Sequence, residues 1–480
     1  MKIIFLLVVI VASFGWTIYI LKPVLFPPPR KPNILVVSLC SLRYQALATY
    51  GYTDPELTPN INAFARRSQF IFDNAFNGLP WVGAFAAARA VIPENLFEMR
   101  GYRLLGDGEQ GHVIRIPESL SWRQRQQRKA LPGGTESEHE LETDPMSSFD
   151  QNALEKNHSA RLKHLRQILN TSRTEPFYLI AHLKYLHFPL IDRHNADSAW
   201  DKYLTPEERR KVTEYLDSPA RFVDKLPFLL LLSHDPRVLA AIGKIERRSQ
   251  GADPKRLSGL LTSPIFLARW KESRGYEDDL HILKKIYHAN LHYLDQTLGE
   301  ILNLYGNKDL QENTIVIFAG DHGELHMERD QVTHATTIYD EALKVPLMIR
   351  FPQSDQPQPQ LRISDQVDFF DLAGLLEGVI EGQVSAENLP QFLARKKRDV
   401  FLVRDCPNTW RGLRYRNKYK YMVEIGSGKR FLYDLQSDPG ETENLVDKDE
   451  KTAADMERLY WDNYEEFSDQ YTYSCAPWAQ

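Results

Sequence analysis

The chain has 480 residues, of which 42% are hydrophobic and 26% are charged, so it can bury a large core and is not a disordered protein. The formal net charge of -5 argues against a nucleic-acid-binding protein, which normally presents a basic face. Three cysteines, Cys40, Cys406 and Cys475, are too few for a disulfide scaffold. Cys406 and Cys475 either pair in an oxidising compartment or remain two separate thiols.

The N-terminal segment is apolar. Ile3 to Leu21 contains no charged residue and is bounded by Lys2 and Lys22, which is long enough for a helix to cross a bilayer. We predict an uncleaved signal anchor at residues 1–22. A cleaved signal peptide is the alternative, but its apolar region is normally shorter and ends at a small-residue cleavage site. The proline-rich residues 23–32 are predicted to form a stiff linker.

Short apolar runs rich in β-branched residues predict four buried strands, at Asn33–Leu39, Phe177–Ala181, Thr314–Ala319 and Val345–Phe351. Helical patterns lie between them, at Thr58–Ser68, Ala153–Leu169 and Leu280–Tyr305. Strands that alternate with helices predict an α/β domain with a parallel sheet and helices on both faces.

Two further regions differ in character from this alternating pattern. Residues 192–275 are charged, carry helical signals and show no obvious strand, so we predict a helical insertion within an α/β domain spanning residues 33–398. Residues 399–480 are predicted to form a C-terminal α+β subdomain. Its predicted elements are four short antiparallel strands and a helix, at Phe401–Val403, Gly412–Tyr415, Tyr419–Glu424, Arg430–Leu435 and Lys451–Phe467.

An acidic residue and a histidine follow the third of the buried strands. Asp321 and His322 come directly after Thr314–Gly320, and Gly323 and Glu324 complete the segment. A carboxylate and an imidazole at the carboxyl end of a strand are common metal-binding or acid–base groups in open α/β sheets.

Six segments, in chain order, together resemble the sulfatase family of the alkaline-phosphatase superfamily. They are Lys31–Val37 with Ser41–Arg43, Thr58–Ala65, Asn74–Ala75 with Pro80–Trp81, Pro176–Leu179 with His187–Pro189, Asp321–Glu324 with His334–Pro346, and Leu432–Leu445. The resemblance implies a large mixed, mostly parallel sheet sandwiched by helices, with a small C-terminal antiparallel subdomain.

The resemblance also implies a divalent cation, Ca²⁺ or Mg²⁺, with Asp321 and His322 as one half of its ligand set. The other half normally includes a carboxylate at the end of the first strand, where this chain has Cys40 followed by Ser41. A hard cation would lose a charged oxygen ligand there. A Cys40 thiolate would instead favour Zn²⁺, while the simpler interpretation is a buried thiol that packs as an apolar group, with no cation bound.

The nucleophile of the family, a formylglycine made from Cys or Ser, has no counterpart. By resemblance it would fall at Val82, or at Phe85 in a shifted alignment, and residues 69–118 contain no Ser, Thr or Cys. His187 and His334 match histidines that contact the sulfate group or the leaving oxygen, so we expect them to remain as pocket residues. Arg43 is expected either to support the metal ligands or to form a structural ion pair.

We therefore predict a single-pass membrane protein of sulfatase type that is catalytically impaired, a pseudoenzyme. Its pocket would bind an anionic glycan or lipid, or the domain would join an envelope assembly. The alternative is an active sulfuric or phosphoric ester hydrolase, or a phosphotransferase, that uses a metal-bound water. A third reading is a scaffold whose pocket has collapsed. The resemblance implies an extracytoplasmic domain, although Lys22, Arg30 and Lys31 would favour a cytoplasmic one.

Overall fold

A computed structural model describes residues 31–77, 103–105, 176–190, 200–241, 263–352, 359–394, 399–404 and 410–464, without residues 184, 189, 201, 234–236, 239, 307, 335 and 336. Several predicted features lie outside these ranges, namely the anchor at residues 1–22, most of the linker, the helix Ala153–Leu169, the nucleophile positions Val82 and Phe85, and Cys406 and Cys475. Within the described ranges, no helix has both the length and the apolar character needed to cross a membrane.

The larger sheet has seven strands in the order β3-β4-β1-β5-β6-β2-β7. The strands are β1 Asn33–Leu39, β2 Phe70–Phe76, β3 Arg103–Leu105, β4 Phe177–Leu183, β5 Thr314–Gly320, β6 Lys344–Arg350 and β7 Leu361–Asp368. Strand β1 lies at the centre and pairs in parallel with β4 and β5, and β2 pairs in parallel with β7. Strand β6 is antiparallel to both of its neighbours. The sheet is mixed and mostly parallel, as predicted.

The four predicted strands are present, but the prediction omitted three others of the seven, β2, β3 and β7. Within β2, the sequence analysis identifies only Asn74–Ala75, as part of a family motif. Strand β7 carries polar residues on an exposed edge, so its sequence lacks the apolar pattern of a buried strand. The strand predicted at Val345–Phe351 exists, but it runs antiparallel to β5. The reason is that it follows β5 without a crossover helix that would return the chain to the same direction.

Ten helices accompany the two sheets in the described parts of the chain. They are α1 Pro59–Arg67, α2 Pro206–Asp217, α3 Leu226–Leu232, α4 Pro264–Glu272, α5 Tyr276–Leu304, α6 Lys308–Gln311, α7 Asp340–Leu343, α8 Phe369–Ile380, α9 Leu389–Ala394 and α10 Glu450–Asp462. Helix α5 begins four residues before the predicted start, because Gly275 ends the preceding turn at φ 80° and three acidic residues occupy the first helical turn. The described part of the predicted insertion contains helices α2, α3 and α4.

The core lies on both faces of the large sheet, which explains why β1 is apolar throughout. Leu35, Val37 and Leu39 pack with α1, α5 and the helices of the insertion region, whereas Ile34 and Val36 pack with α8 and α9. Alternate side chains of one strand therefore belong to two separate hydrophobic layers, as expected for a parallel sheet covered on both sides.

The smaller sheet has four antiparallel strands in the order β11-β10-β9-β8. These are β8 Asp399–Arg404, β9 Trp410–Tyr415, β10 Tyr419–Glu424 and β11 Lys429–Asp434, close to the predicted positions. A buried ion-pair group joins this sheet to the larger domain: Lys420 contacts Asp340 at 2.8 Å and Glu441 at 2.6 Å. The smaller sheet is therefore packed against the residues that follow β5.

Candidate functional site

Two neighbouring strands of the large sheet end together. Strands β1 and β5 are parallel, with Leu39 aligned to Gly320. The next residues, Cys40 on one side and Asp321 and His322 on the other, therefore meet at the carboxyl edge of the sheet, where open α/β sheets normally carry their ligand sites. All three side chains are buried.

The turn after β1 is held in an unusual conformation. Ser41 has φ 58°, in the left-handed region that residues other than glycine seldom adopt. Two bonds fix it: the Tyr287 hydroxyl donates to the Ser41 carbonyl at 2.8 Å and accepts from the Arg43 amide at 3.0 Å. The Ser41 amide thereby points at Asp321 and donates to its Oδ1 at 3.2 Å. Backbone strain at a site of this kind persists because the surrounding contacts over-determine it.

Asp321 is anchored from several directions. Its Oδ1 accepts a second hydrogen bond from the His322 amide at 2.7 Å, and its backbone carbonyl accepts from Asn77 Nδ2 at 2.7 Å. The carboxylate thus acts as a hydrogen-bond acceptor that ties the ends of β1 and β5 together. Its role in the fold is independent of any bound ion.

His322 is oriented toward Cys40. Its Nδ1 lies 2.8 Å from the Gly323 carbonyl, so Nδ1–H donates there and the neutral ring presents the lone pair of Nε2. Nε2 in turn lies 3.5 Å from Cys40 Sγ and 3.5 Å from Asp321 Oδ1. Burial lowers the pKa of His322, although the Asp321 carboxylate opposes this. The ring is therefore held in the form that can act as a ligand or a base.

Glu324 is a site residue to which the sequence analysis gave no role. The carboxylate is fully buried, and its Oε2 lies 3.3 Å from His334 Nδ1, whose ring stacks on His322 at 3.6 Å between centroids. Burial raises the pKa of Glu324 to about 7, while the charges of His322 and His187 and the nearby Ser41 hydroxyl oppose this. The only signal in the sequence is an acidic residue two positions after His322 in the same motif.

The two histidines matched by resemblance both lie beside these residues. His187 is exposed, and its ring lies 5.6 Å from that of His334 between centroids. Together with Cys40, Asp321 and His322, they form one cluster, so the structure brings together each predicted site residue that lies in its described ranges. Val82 and Phe85 lie outside those ranges.

Arg43 forms an ion pair with a residue outside this cluster. Its Nη2 contacts Glu328 Oε1 at 2.7 Å, and the other oxygen of Glu328 accepts from the His326 amide. Burial alone would raise the pKa of Glu328, but the Arg43 guanidinium and these hydrogen bonds lower it to about 2. The geometry therefore favours the structural ion pair over direct support of Asp321 and His322.

The donor chemistry of the cluster can be compared with that of the cations the family resemblance implied. Two groups of buried or half-buried donors have ligand atoms within 4.8 Å of one another, namely Cys40, Asp321 and His322, and His322, Glu324 and His334. Ca²⁺ takes six to eight oxygen ligands and Mg²⁺ an octahedral oxygen set. Here the donors are two imidazoles, a thiol and two carboxylates, so these residues do not fit a hard-cation cage.

A family model described as Sulfatase matches residues 117–376. Among curated proteins, an uncharacterized sulfatase, YidJ, of Escherichia coli is 23% identical over 295 residues, which cover 56% of this chain and 58% of that protein. An ulvan-active sulfatase of Formosa agariphila is 24% identical over 286 residues, covering 55% of this chain and 53% of that protein. This chain therefore spans little more than half the length of these two relatives.

Solved structures match over nearly the whole chain. A putative sulfatase from Bacteroides thetaiotaomicron has a TM-score of 0.58 at 17% identity, covering 92% of this chain and 94% of that one. A phosphonate monoester hydrolase of Agrobacterium radiobacter has a TM-score of 0.52 at 17% identity, covering 92% and 95%. Identities this low establish the fold alone. Because the family model covers more than half of the sequence, this chain belongs to the sulfatase family of the alkaline-phosphatase-like superfamily.

Proposed function

We propose that this sulfatase-family protein does not carry out the nucleophilic hydrolysis of the family and instead uses its pocket to bind an anionic glycan or lipid beside a membrane. The observation that carries the proposal is the presence of Cys40 at the end of β1. It stands where the resemblance places a metal-binding carboxylate, and its Sγ lies 3.5 Å from His322 Nε2. The oxygen-rich half of the expected cation site is therefore missing.

The sequence supports the same proposal independently. Hydrolysis by the family mechanism needs an activated hydroxyl or thiol-derived nucleophile beside the cation. Residues 69–118 offer no Ser, Thr or Cys for that purpose. The loss of the nucleophile and the loss of a metal carboxylate affect two separate steps, so one local rearrangement does not restore both.

The two remaining histidines of the site are suited to binding an anion. The exposed His187 and the half-buried His334 beside it carry N–H groups that can donate to sulfate or carboxylate oxygens. The apolar segment at residues 1–22 supports a membrane location, and the resemblance supports an extracytoplasmic domain. Protease accessibility of intact cells, compared with permeabilised cells, tests that orientation, because a cytoplasmic domain is cleaved only after permeabilisation.

A second function, ester hydrolysis by water that a divalent cation activates, is favoured by one contact. The Glu324–His334 pair, at 3.3 Å, joins a buried carboxylate to an imidazole at the pocket, which is a common arrangement for moving a proton. Under this alternative, His334 would exchange the proton with water or the leaving oxygen, and Glu324 would hold its ring.

The deciding experiment assays the full-length protein in detergent against aryl sulfate and aryl phosphate, with and without added divalent cations. We expect no turnover above background but saturable binding of a sulfated glycan or an anionic lipid vesicle, weakened by the double variant His187→Ala and His334→Ala. Turnover that is lost in His322→Ala, but kept in the control Asp278→Ala, would overturn the proposal. Asp278 is a suitable control because its side chain is 77% exposed.

A further inference from the structure

We propose that Cys40, Asp321 and His322 bind a zinc-class transition-metal ion, in place of the calcium or magnesium that the family implies. The proposal concerns metal identity and is independent of whether the protein turns over an ester. It begins from the mismatch described above, since a site that has lost an oxygen ligand and gained a sulfur changes its metal preference. Thiolate and imidazole ligands favour Zn²⁺ and related ions.

The donor atoms already have suitable separations. In a tetrahedral zinc site, with bonds of about 2.3 Å to sulfur and about 2.0–2.1 Å to nitrogen and oxygen, sulfur and nitrogen lie about 3.5 Å apart, and nitrogen and oxygen about 3.4 Å. The observed distances from His322 Nε2 are 3.5 Å to Cys40 Sγ and 3.5 Å to Asp321 Oδ1. The third pair, the sulfur and the carboxylate oxygen, lies within 4.8 Å, so the three donors are close enough together to share one ion.

The surrounding groups orient these ligands. The hydrogen bond from His322 Nδ1–H to the Gly323 carbonyl selects Nε2 as the ligand atom, which is the usual second contact of a metal-binding histidine. The amides of Ser41 and His322 hold the Asp321 carboxylate in place. These contacts come from the backbone, so they are present before an ion arrives and reduce the cost of binding it.

A second observation, on Glu324, concerns the same group of residues. Glu324 Oε1 is fully buried, and within the described chain it makes no hydrogen bond of good geometry. The Ser41 hydroxyl lies near this carboxylate, but a buried carboxylate oxygen without a well-aligned donor is costly, and a nearby cation would offset that cost. The group His322, Glu324 and His334 shares His322 with the first group, so its other two donors lie beside the proposed site.

The competing interpretation is that Cys40 is simply a small apolar residue in the core. A thiol in that role normally faces aliphatic or aromatic carbon. Here Sγ faces the His322 ring nitrogen at 3.5 Å and the Ser41 hydroxyl at 3.9 Å. The surroundings are those of a metal-ligating or reactive thiol, and the test must distinguish metal binding from a polar contact alone.

The test uses the full-length protein with Cys406→Ser and Cys475→Ser, so that Cys40 is the only thiol. Co²⁺ serves as a spectroscopic substitute for Zn²⁺, because a cobalt–thiolate bond gives an ultraviolet charge-transfer band. We expect this band at one ion per chain, its displacement by Zn²⁺, and no displacement by a large excess of Ca²⁺ or Mg²⁺. Bound Zn²⁺ is also expected to slow alkylation of Cys40.

Two substitutions separate the ligand role from a structural one. Cys40→Ser should remove the cobalt band and weaken Zn²⁺ binding by at least the ~10–100-fold that loss of an outer-shell partner costs. Cys40→Asp, which restores the oxygen ligand, should weaken Zn²⁺ and strengthen Ca²⁺ or Mg²⁺ binding. His281→Ala, with a side chain that is 64% exposed, should change neither.

The proposal is overturned if Co²⁺ gives no thiolate band, if Zn²⁺ leaves Cys40 alkylation unchanged, or if Ca²⁺ binds the protein more tightly than Zn²⁺. The first two measurements need no substitution at Cys40, so they decide the matter even where Cys40→Ser fails to fold. Ester turnover is measured separately, and its presence or absence bears only on the proposed function.

Discussion

The Arg43–Glu328 ion pair offers a quantitative test of how the edge of the pocket is stabilised. The two side chains are 14% and 27% exposed, and their atoms are 2.7 Å apart. The perturbation is Glu328→Gln, which keeps the shape of the side chain and removes its charge. It leaves the Arg43 guanidinium without a counter-ion in a largely buried position, where breaking an ion pair typically costs 3–5 kcal/mol.

The pKa of Glu328 gives a second value for the contribution of this ion pair to the free energy of unfolding, and it predicts how that contribution depends on pH. The folded protein holds this pKa at about 2, against an ordinary value of 4.5. Because the folded-state pKa is the lower one, the folded state holds the proton less tightly, and the stabilisation is complete above about pH 4.5. It is lost progressively as the pH falls toward 2. The difference between the two values corresponds to roughly 3 kcal/mol at neutral pH.

Urea unfolding of both proteins across pH 7 to pH 3 is the assay. We expect Glu328→Gln to lose about 3 kcal/mol of unfolding free energy at pH 7, and the loss to shrink as the pH falls below about 4.5. Glu443→Gln is the control, because its pair with Lys448 is 59% and 65% exposed and should contribute less than about 1 kcal/mol. A loss that stays constant with pH, or equals that of the control, would refute the reasoning.

Three further predictions concern the same framework. A Cβ at Gly323 would lie 2.0 Å from the Glu341 carbonyl oxygen, so Gly323→Ala should cost about 3 kcal/mol, whereas Gly426→Ala, with open space, should be neutral in urea unfolding. Tyr287→Phe removes both bonds that hold the turn after β1 and should cost about 2 kcal/mol, measured in the same way, while leaving helix content by circular dichroism unchanged. Lys420→Met removes the ion pair of the buried Glu441 and one of the two ion pairs of Asp340, which keeps Arg414 at 2.6 Å, and should lower stability by about 3 kcal/mol at pH 7; no loss in thermal unfolding would contradict it.

The sequence predicted the buried strands well, because a strand covered on both faces is apolar at every position. Strand β5 was predicted to within one residue for this reason. Strand β7 was missed because only its last residues are buried, so its sequence lacks the apolar pattern of a core strand. It is a strand because it pairs with the neighbouring β2. The antiparallel direction of β6 depends on how the chain returns to the sheet, which a local pattern does not encode.

The site residues were predicted in part. Asp321, His322 and His334 followed from the motif, but Glu324 was assigned no role, because its importance comes from its complete burial and its contact with His334, which the sequence does not show. The left-handed Ser41 was also not predictable, since serine has no preference for that conformation. Its backbone is fixed by the hydroxyl of a tyrosine about 250 residues away in sequence.

Asp321 is weak evidence for chemistry, even though it is the most recognisable residue of the motif. Its carboxylate accepts two backbone amides at the ends of β1 and β5, so the fold would require it with or without an ion. Loss of activity on replacing Asp321 would therefore have two explanations. Cys40 Sγ and His322 Nε2 also meet across the two strand ends, but at 3.5 Å this contact is longer than the two amide bonds, so their substitution reports more directly on what the pocket binds. Metal preference measured at Cys40 is for that reason the sharper test of which ion the site accepts.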